Sequence, residues 1–310
     1  MYLLYFSEEK GELLYTFNSK NEFNLKVWGF LLIFILITFV TIMSEIYPKQ
    51  MLINFYMQKY HFDLKANDGK KYDLLIAGDS TVYRGINPSI MNQIVNKKSL
   101  NFAFSSQRLS KYYLNEINKR IKKNGILIFG INIRSFSLNK TSKSGIEFIH
   151  KNNPRVFPNY VYIYLNTLFP SFNFLKMMSN SLNNYYTSNG WVTSFSKVDL
   201  PLELTIKSIN KYKSHKINYR MIKYFFKYVK EMTRKGYRVF IYNSILNNNI
   251  KSFDNKVFYK YDFENNIKDS GGIFLKTNNY YKTYDGIHLN KSNSVKLSNE
   301  IGNSVKLLLL

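Results

Sequence analysis

A serine, a histidine and an aspartate of this chain could form a nucleophile, its general base and the group that orients the base. Ser80 ends a Gly-Asp-Ser run, and His288 stands three residues after Asp285. A serine hydroxyl is a weak nucleophile at its ordinary pKa, so it needs an adjacent base that a third group holds in place. An aspartate three residues before a histidine can reach the ring Nδ1 and leave Nε2 facing the serine. The spacing therefore predicts acyl-transfer chemistry.

The segment before Ser80 indicates a buried strand. Residues 72–77 read Tyr-Asp-Leu-Leu-Ile-Ala and are followed by Gly78, as is typical of a central parallel strand. Open α/β sheets bind ligands at the carboxyl ends of their strands, so Ser80 is expected at that edge. Asp79 is expected to brace the turn and not to react. Residues 289–297, directly after His288, predict a turn that leads into a final helix.

Helix and strand patterns alternate through the rest of the chain. Apolar runs predict further strands over 100–104, 126–129, 237–242 and 272–275, and apolar residues at helical spacing predict helices over 90–97, 109–123 (closed by Gly125) and 219–235. This alternation predicts an α/β fold with a doubly wound parallel sheet covered by helices on both faces.

Four short blocks resemble those of the SGNH/GDSL hydrolases. Residues 78–80 are similar to the first block of that family and residues 285–288 to the last. Residues 130–132 (Gly-Ile-Asn) are similar to the third block, although Ile133 stands where the family has aspartate. Ser106 stands where the second block has a glycine. The blocks occur in the family's order, and the resemblance extends from about residue 70 to the end of the chain.

The resemblance implies a flavodoxin-like three-layer sandwich and a Ser-His-Asp triad that needs no metal ion or other cofactor. It also implies an oxyanion hole formed by the backbone N–H groups of Ser80 and Ser106 and the side chain of Asn132. A serine N–H can donate as a glycine N–H does, provided that its backbone angles are accessible. Asp79 and Gly130 would have supporting roles.

An uninterrupted apolar stretch precedes this region. Residues 27–43 carry no charge, and a helix that spans a bilayer needs roughly 17–25 such residues. No small-residue cleavage site follows, as it would after a signal peptide. The alternative, a buried core helix, would need protein on every side. We therefore predict four segments: a tail over 1–26, a transmembrane anchor over 27–44, a linker over 45–69 and a catalytic domain over 70–310.

Lysines on the two sides of the anchor are too evenly divided to set its orientation. The resemblance is to membrane-anchored family members that O-acetylate alginate or D-alanylate teichoic acids. It implies a bacterial inner (cytoplasmic) membrane protein with an extracytoplasmic catalytic domain. Its expected partners are an acyl-ester substrate, an envelope glycan, membrane lipid around residues 27–44 and a multi-pass membrane acyltransferase. The absence of cysteine fits an oxidising compartment and excludes thiol chemistry.

The formal net charge of +24 suggests anionic partners such as teichoic acids, acidic polysaccharides or lipid headgroups. The lysines are dispersed, without a block of five or six cations, so nucleic acid is not a predicted partner. Richness in Lys, Asn, Ile and Tyr is also what an AT-rich coding sequence produces. The net charge alone therefore does not distinguish an anionic partner from a compositional bias, nor one anionic partner from another.

Residues 138–218 are too long for a simple connection and predict an inserted, aromatic-rich cap. It could pack on the sheet, or it could present a glycan or partner surface. The predicted function is a serine acyl esterase or O-acyltransferase acting on an envelope polysaccharide; the triad does not distinguish the two. The alternative is a non-catalytic scaffold or glycan-binding partner of an acyltransferase, which the departures at Ser106 and Ile133 favour.

Overall fold

The computed structural model describes residues 27–36, 38, 61–138, 145–151, 184–194, 202–244, 248–277 and 281–310. The chain divides into two compact units, Met1–Ile53 and Asn54–Leu310. In the first unit, residues 27–36 form an exposed helix, α1. Among the helices described, none combines the length and the apolar character needed to cross a bilayer. Most of the remaining predicted anchor, to residue 44, lies outside the described residues, so the anchor stays a prediction.

The second unit contains a five-stranded parallel sheet. The described strands are β1 (Tyr72–Ala77), β2 (Ser99–Asn101), β3 (Ile121–Ile131), β4 (Asn184–Tyr186), β5 (Val192–Ser194), β6 (Arg238–Asn243) and β7 (Ile273–Leu275). The order across the large sheet is β2-β1-β3-β6-β7, and every neighbouring pair in it is parallel. The predicted α/β class with a parallel sheet is confirmed.

Helices precede, connect and follow these strands. They are α2 (61–66), α3 (Ser80–Gly85), α4 (Pro88–Val95), α5 (Lys111–Arg120), α6 (Ile146–Lys151), α7 (Leu202–Lys213), α8 (Tyr219–Arg234), α9 (Asn248–Lys260), α10 (Phe263–Asp269) and α11 (Lys291–Leu307), with a 3-10 turn over Ile133–Phe136. The predicted helix over 109–123 is shorter because the Ser110 hydroxyl caps its start and Ile121 already begins β3. Gly125 therefore does not close that helix.

The core lies along the central strands. In β1, residues 74–77 are fully buried, as their continuous apolar run predicts. The apolar face of α8 packs on β3, where the rings of Phe129 and Phe225 meet edge to face with centroids 5.2 Å apart. Elsewhere in the core, α11 packs closely on α4. A Cβ at Gly302 of α11 would lie 2.9 Å from Ile94 Cδ1 of α4.

Two glycines let α3 approach the sheet. A Cβ at Gly78 or at Gly130 would lie 2.4 Å from Val82 Cγ2, a distance that side chains do not tolerate. Gly78 also has a φ of +152°, a backbone conformation that favours glycine. The supporting role predicted for Gly130 thus has a steric basis. These two positions seat the helix that begins at Ser80 directly against the ends of β1 and β3.

Part of the predicted cap is described. It contains α6, an antiparallel β4–β5 hairpin and α7. The hairpin reaches the sheet at Gly190, where a Cβ would lie 2.1 Å from the Asn101 carbonyl oxygen. The indole N–H of Trp191 donates to the Arg84 carbonyl at 3.3 Å. Residues 152–183, which hold most of the cap's aromatic residues, lie outside the described ranges.

Helix α2 falls in the predicted linker but belongs to the core of the second unit. Phe62 is 1 % exposed, and its ring packs on Tyr83 of α3. Lys65 is also buried: its ammonium donates to the Ala103 carbonyl and lies 4.6 Å from the Phe104 ring centroid. Burial lowers the pKa of Lys65 well below its ordinary value. The packed unit therefore begins before residue 70.

Candidate active site

The turn between β1 and α3 presents the candidate nucleophile. Asp79 is the N-cap of α3, and its Oδ1 accepts hydrogen bonds from the Thr81 N–H at 2.9 Å and the Thr81 hydroxyl at 2.7 Å. Ser80 is the first residue of the helix and is 6 % exposed. The predicted bracing role of Asp79 agrees with these contacts, which fix the backbone on both sides of Ser80.

The loop before α11 presents the candidate base. Asp285 Oδ1 accepts from the N–H groups of Ile287 at 3.0 Å and His288 at 2.7 Å. Gly286 has a φ of +81°, which a tight turn at this point requires. The Tyr284 N–H donates to the His288 carbonyl at 3.0 Å, which closes the loop. Residues 284–288 thus form a closed local turn, as the spacing of Asp285 and His288 predicts.

The fold brings these two loops together. His288 Nε2 lies 2.8 Å from Ser80 Oγ, across 208 residues of chain. His288 Nδ1 lies 2.6 Å from Asp285 Oδ2. Both distances are within hydrogen-bonding range. The side chains of His288 and Asp285 are 18 % and 16 % exposed, so these two residues are partly accessible to solvent.

The electrostatic surroundings assign the protons. Burial would raise the pKa of Asp285, but the charge of His288 and hydrogen bonds from its ring and backbone outweigh burial and lower that pKa to about 2. Burial lowers the pKa of His288, and the opposing charge of Asp285 does not restore it to its ordinary value. Near neutral pH the carboxylate can only accept hydrogen bonds, so the neutral ring donates from Nδ1. Nε2 then accepts a hydrogen bond from the Ser80 hydroxyl.

Asn132 follows β3, and its side chain contacts Asp79 in the turn that carries Ser80. Its Nδ2 donates to Asp79 Oδ2 at 3.1 Å, and its Oδ1 accepts from the Arg134 N–H at 3.0 Å. Asn132 and Ser135 also form a capping box, in which the Ser135 hydroxyl accepts a hydrogen bond from the Asn132 N–H at 3.2 Å. Asn132 is fully buried. Its amide is therefore held rigidly at the carboxyl edge of the sheet, where the oxyanion role was predicted.

Arg134 belongs to the same network and was not identified from the sequence. Its guanidinium donates to Asp79 Oδ2 at 2.7 Å, and the two side chains are 18 % and 1 % exposed. Burial opposes ionisation of Asp79, but the Arg134 charge and the hydrogen bonds from Thr81, Arg134 and Asn132 outweigh burial and lower its pKa. An arginine two residues after an asparagine carries no local signal of such a pairing, because its partner lies 55 residues away.

Ser106 occupies a glycine-like position. Its φ is +50°, in the left-handed region that non-glycine residues rarely adopt. It is exposed and helps to line a cavity of about 210 Å³ together with Ser135 and Ser137 of the segment that follows Asn132. The backbone conformation matches the glycine position that the resemblance assigned to it, while its predicted donation to an oxyanion stays a prediction.

Arg84 and Tyr284 lie beside the candidate base. Arg84 donates to the Tyr284 hydroxyl at 2.8 Å, and the Tyr284 ring stacks on the His288 imidazole with centroids 6.1 Å apart. Besides burial, the positive charges of Arg84 and Arg134 lower the pKa of His288. Arg84 therefore takes part in the site electrostatically.

Within the described ranges, no group of three or more His, Cys, Asp or Glu side chains is arranged to hold a metal ion. Comparison of the chain with protein-family models, with curated proteins and with solved structures found no match. Interpretation of the site therefore depends on its own geometry and on the residues of the chain.

Proposed function

We propose that this chain is a membrane-anchored serine acyl esterase or O-acyltransferase of the SGNH/GDSL type, acting on an acyl ester of a cell-envelope polysaccharide or related polymer. One observation carries the proposal. Ser80 Oγ, the His288 ring and the Asp285 carboxylate are joined in series, at 2.8 Å and 2.6 Å. That order of hydroxyl, imidazole and carboxylate is what activates a serine for attack on an acyl carbonyl.

The position of the site in the sheet supports the proposal. The strand order β2-β1-β3-β6-β7 corresponds to the flavodoxin-like, doubly wound order, in which ligands bind where the winding reverses, between the first and third strands. Ser80 follows β1 and Asn132 follows β3. Both residues therefore lie at the point of the sheet where a ligand is expected.

In the proposed reaction, Ser80 Oγ attacks the acyl carbonyl carbon while His288 Nε2 takes the hydroxyl proton. Asp285 keeps Nδ1 protonated and stabilises the imidazolium. The carbonyl oxygen gains negative charge, which the Ser80 N–H, the second N–H of the Asn132 amide and the Ser106 N–H stabilise. As the first residue of α3, Ser80 has an N–H without an intrahelical partner.

The tetrahedral intermediate then collapses. The bond to the leaving oxygen breaks, and His288 gives its proton to that oxygen, which leaves an acyl-Ser80 ester. Water or an acceptor hydroxyl next attacks this ester and loses its proton to His288. The bond from the acyl carbon to Ser80 Oγ then breaks, and His288 returns the proton to Ser80 Oγ. Hydrolysis and transfer use the same residues and differ only in which hydroxyl reaches the acyl group.

The other parts of the proposal follow from the sequence. Residues 27–44 would anchor the chain in the bacterial cytoplasmic membrane with the catalytic domain outside the cytoplasm. A formal charge of +24 favours an anionic envelope polymer or lipid headgroup near this domain. A multi-pass membrane acyltransferase would be the partner that supplies or receives the acyl group.

Labelling with a fluorophosphonate probe tests the proposal. We expect the full-length protein in detergent to be labelled at Ser80, Ser80→Ala to be unlabelled, and Ser252→Ala, an exposed serine of α9, to be labelled as wild type. Peptide mass spectrometry identifies the labelled residue. A folded wild-type protein that takes no label would contradict the proposal and favour the non-catalytic scaffold. Labelling at another serine would contradict the role proposed for Ser80.

A further inference from the structure

The proposed reaction gives no chemical step to Asp79, the buried carboxylate next to the nucleophile. Its Oδ1 is occupied by Thr81, but its Oδ2 accepts from two groups of another loop, Asn132 Nδ2 at 3.1 Å and Arg134 at 2.7 Å. Asp79 therefore connects the turn that holds the nucleophile to the loop that holds the proposed oxyanion donor.

Resting on the proposed function, we infer that Asp79 and Arg134 are positioning residues, which hold the Asn132 amide in the orientation that donates to the substrate oxygen. Two contacts determine this orientation. An ionised carboxylate can only accept, so the amide must turn its nitrogen toward Asp79. The Arg134 N–H can only donate, so the amide must turn its oxygen toward Arg134, at 3.0 Å. One amide N–H remains to donate to substrate.

Arg134 also balances a charge that would oppose the reaction. Asp79 is fully buried, and its negative charge lies one residue before the serine at which an oxyanion would form. A buried carboxylate close to a developing anion would destabilise that anion, and water cannot screen it there. The guanidinium at 2.7 Å supplies the opposite charge. The carboxylate can then fix the amide without its full electrostatic penalty.

Other elements hold Arg134 in place. Its guanidinium carbon lies 5.3 Å from the centroid of the Tyr212 ring on α7. The Tyr212 hydroxyl donates to Asp254 Oδ2 on α9 at 2.8 Å, and the same oxygen accepts from the Ile133 N–H at 3.4 Å. Side chains from two helices thus support the loop that carries Asn132 and Arg134.

The chain contains a matched ion pair for comparison. Arg120 and Glu116 form a buried pair at 2.7 Å on α5, with side chains 8 % and 5 % exposed. Arg134 and Asp79 form a pair of the same length. Arg120 also donates to the Ala66 carbonyl, so its contacts lie outside the residues assigned to the site. Loss of Arg134 removes the cation paired with Asp79, whereas loss of Arg120 leaves Glu116 paired with Lys119, at 2.6 Å. Only loss of Arg134 should reach the chemistry.

A double-mutant cycle on the full-length protein tests the inference. The second-order rate constant of fluorophosphonate labelling is measured for wild type, Arg134→Met, Asn132→Ala and the double variant, with thermal unfolding of each. We expect Arg134→Met to slow labelling about tenfold or more in the wild-type background and less than about twofold when Asn132 is already alanine. Arg120→Met should lower the unfolding temperature and leave the labelling rate constant of the folded protein unchanged.

Equal slowing by Arg134→Met in both backgrounds would overturn the inference, since Arg134 would then not act through Asn132. If Arg134→Met does not fold, the same cycle with Asp79→Asn decides, because a neutral amide at 79 no longer fixes the Asn132 orientation. Failure of the proposed function has a different result. If the wild-type protein takes no label, both the proposed function and this inference fail. If the wild type is labelled but the effects of Arg134→Met and Asn132→Ala are additive, only the inference fails.

Discussion

The two sides of the candidate site are built differently. On one side, His288 contacts both Ser80 and Asp285 directly, and each side chain makes the contact that its type and spacing predict. On the other side, Asn132 bonds to Asp79 and to the backbone of Arg134. The triad side is thus complete in itself, while the proposed oxyanion side depends on a buried ion pair. Damage to the first side should abolish chemistry, and damage to the second should reduce it by degrees.

The largest effect short of removing the nucleophile is expected for Asp285→Asn. An asparagine can present its amide nitrogen to the ring and stabilise the wrong tautomer, and it cannot balance an imidazolium. We expect the labelling rate to fall by roughly 10³–10⁴. Asp269→Asn, at an exposed position at the end of α10, is the control and should label as wild type. Labelling of Asp285→Asn within tenfold of wild type would remove Asp285 from the triad.

Asn132→Ala tests the other side directly. Loss of one oxyanion donor costs about 10²–10³ in rate, or about 2.7–4 kcal/mol of transition-state stabilisation. We expect a loss of this size in kcat for hydrolysis of a small aryl ester, with KM little changed, because the donor acts mainly in the transition state. Asn265→Ala, at an exposed position on α10, is the control. A loss seen only in KM would show that Asn132 binds substrate without stabilising an oxyanion.

The pH dependence of labelling tests the protonation of the triad side. Burial lowers the pKa of His288 below its ordinary 6.5, and only the neutral ring can take the serine proton. Labelling should therefore be constant near neutral pH and fall about tenfold per pH unit below that pKa. Because the charge of Arg84 also lowers this pKa, Arg84→Met should move the acid limb to higher pH. A limb centred above pH 6.5 in the wild type would contradict the assignment.

The smallest effect is expected at Ser106. Its φ of +50° strains any residue with a Cβ, and most of all a β-branched one. Ser106→Gly should leave stability equal or raise it by up to about 1 kcal/mol, and Ser106→Val should lower it by roughly 1–2 kcal/mol. Denaturant unfolding measures both. Ser106→Gly keeps the N–H and should label as wild type; slower labelling would mean that the hydroxyl, and not the backbone, serves the site.

Helix α2 is a part of the core that the sequence does not reveal. Residues 61–66 carry no strong sequence pattern and fall within the predicted linker, yet Phe62 and Lys65 pack inside the second unit. Lys65 is stabilised by the Ala103 carbonyl and by aromatic rings from three separate segments. A short helix whose partners lie tens of residues away has no local signature.

The sequence by itself determined the parts that depend on neighbours along the chain. The Asp79 cap and the closed loop from Asp285 to His288 form through contacts within a few residues. The strand before Ser80 pairs with the distant β2 and β3, but its own continuous apolar run already indicates a buried strand. Their residue types therefore predict them.

Only the tertiary structure decided which of these parts meet. The bond from Ser80 to His288 spans 208 residues, and the pair of Asp79 with Arg134 spans 55. Whether such groups come together depends on strand order and on how closely α3 approaches the sheet at Gly78 and Gly130. Spacing along the chain does not encode these distances, because they are set by the packing of the whole core.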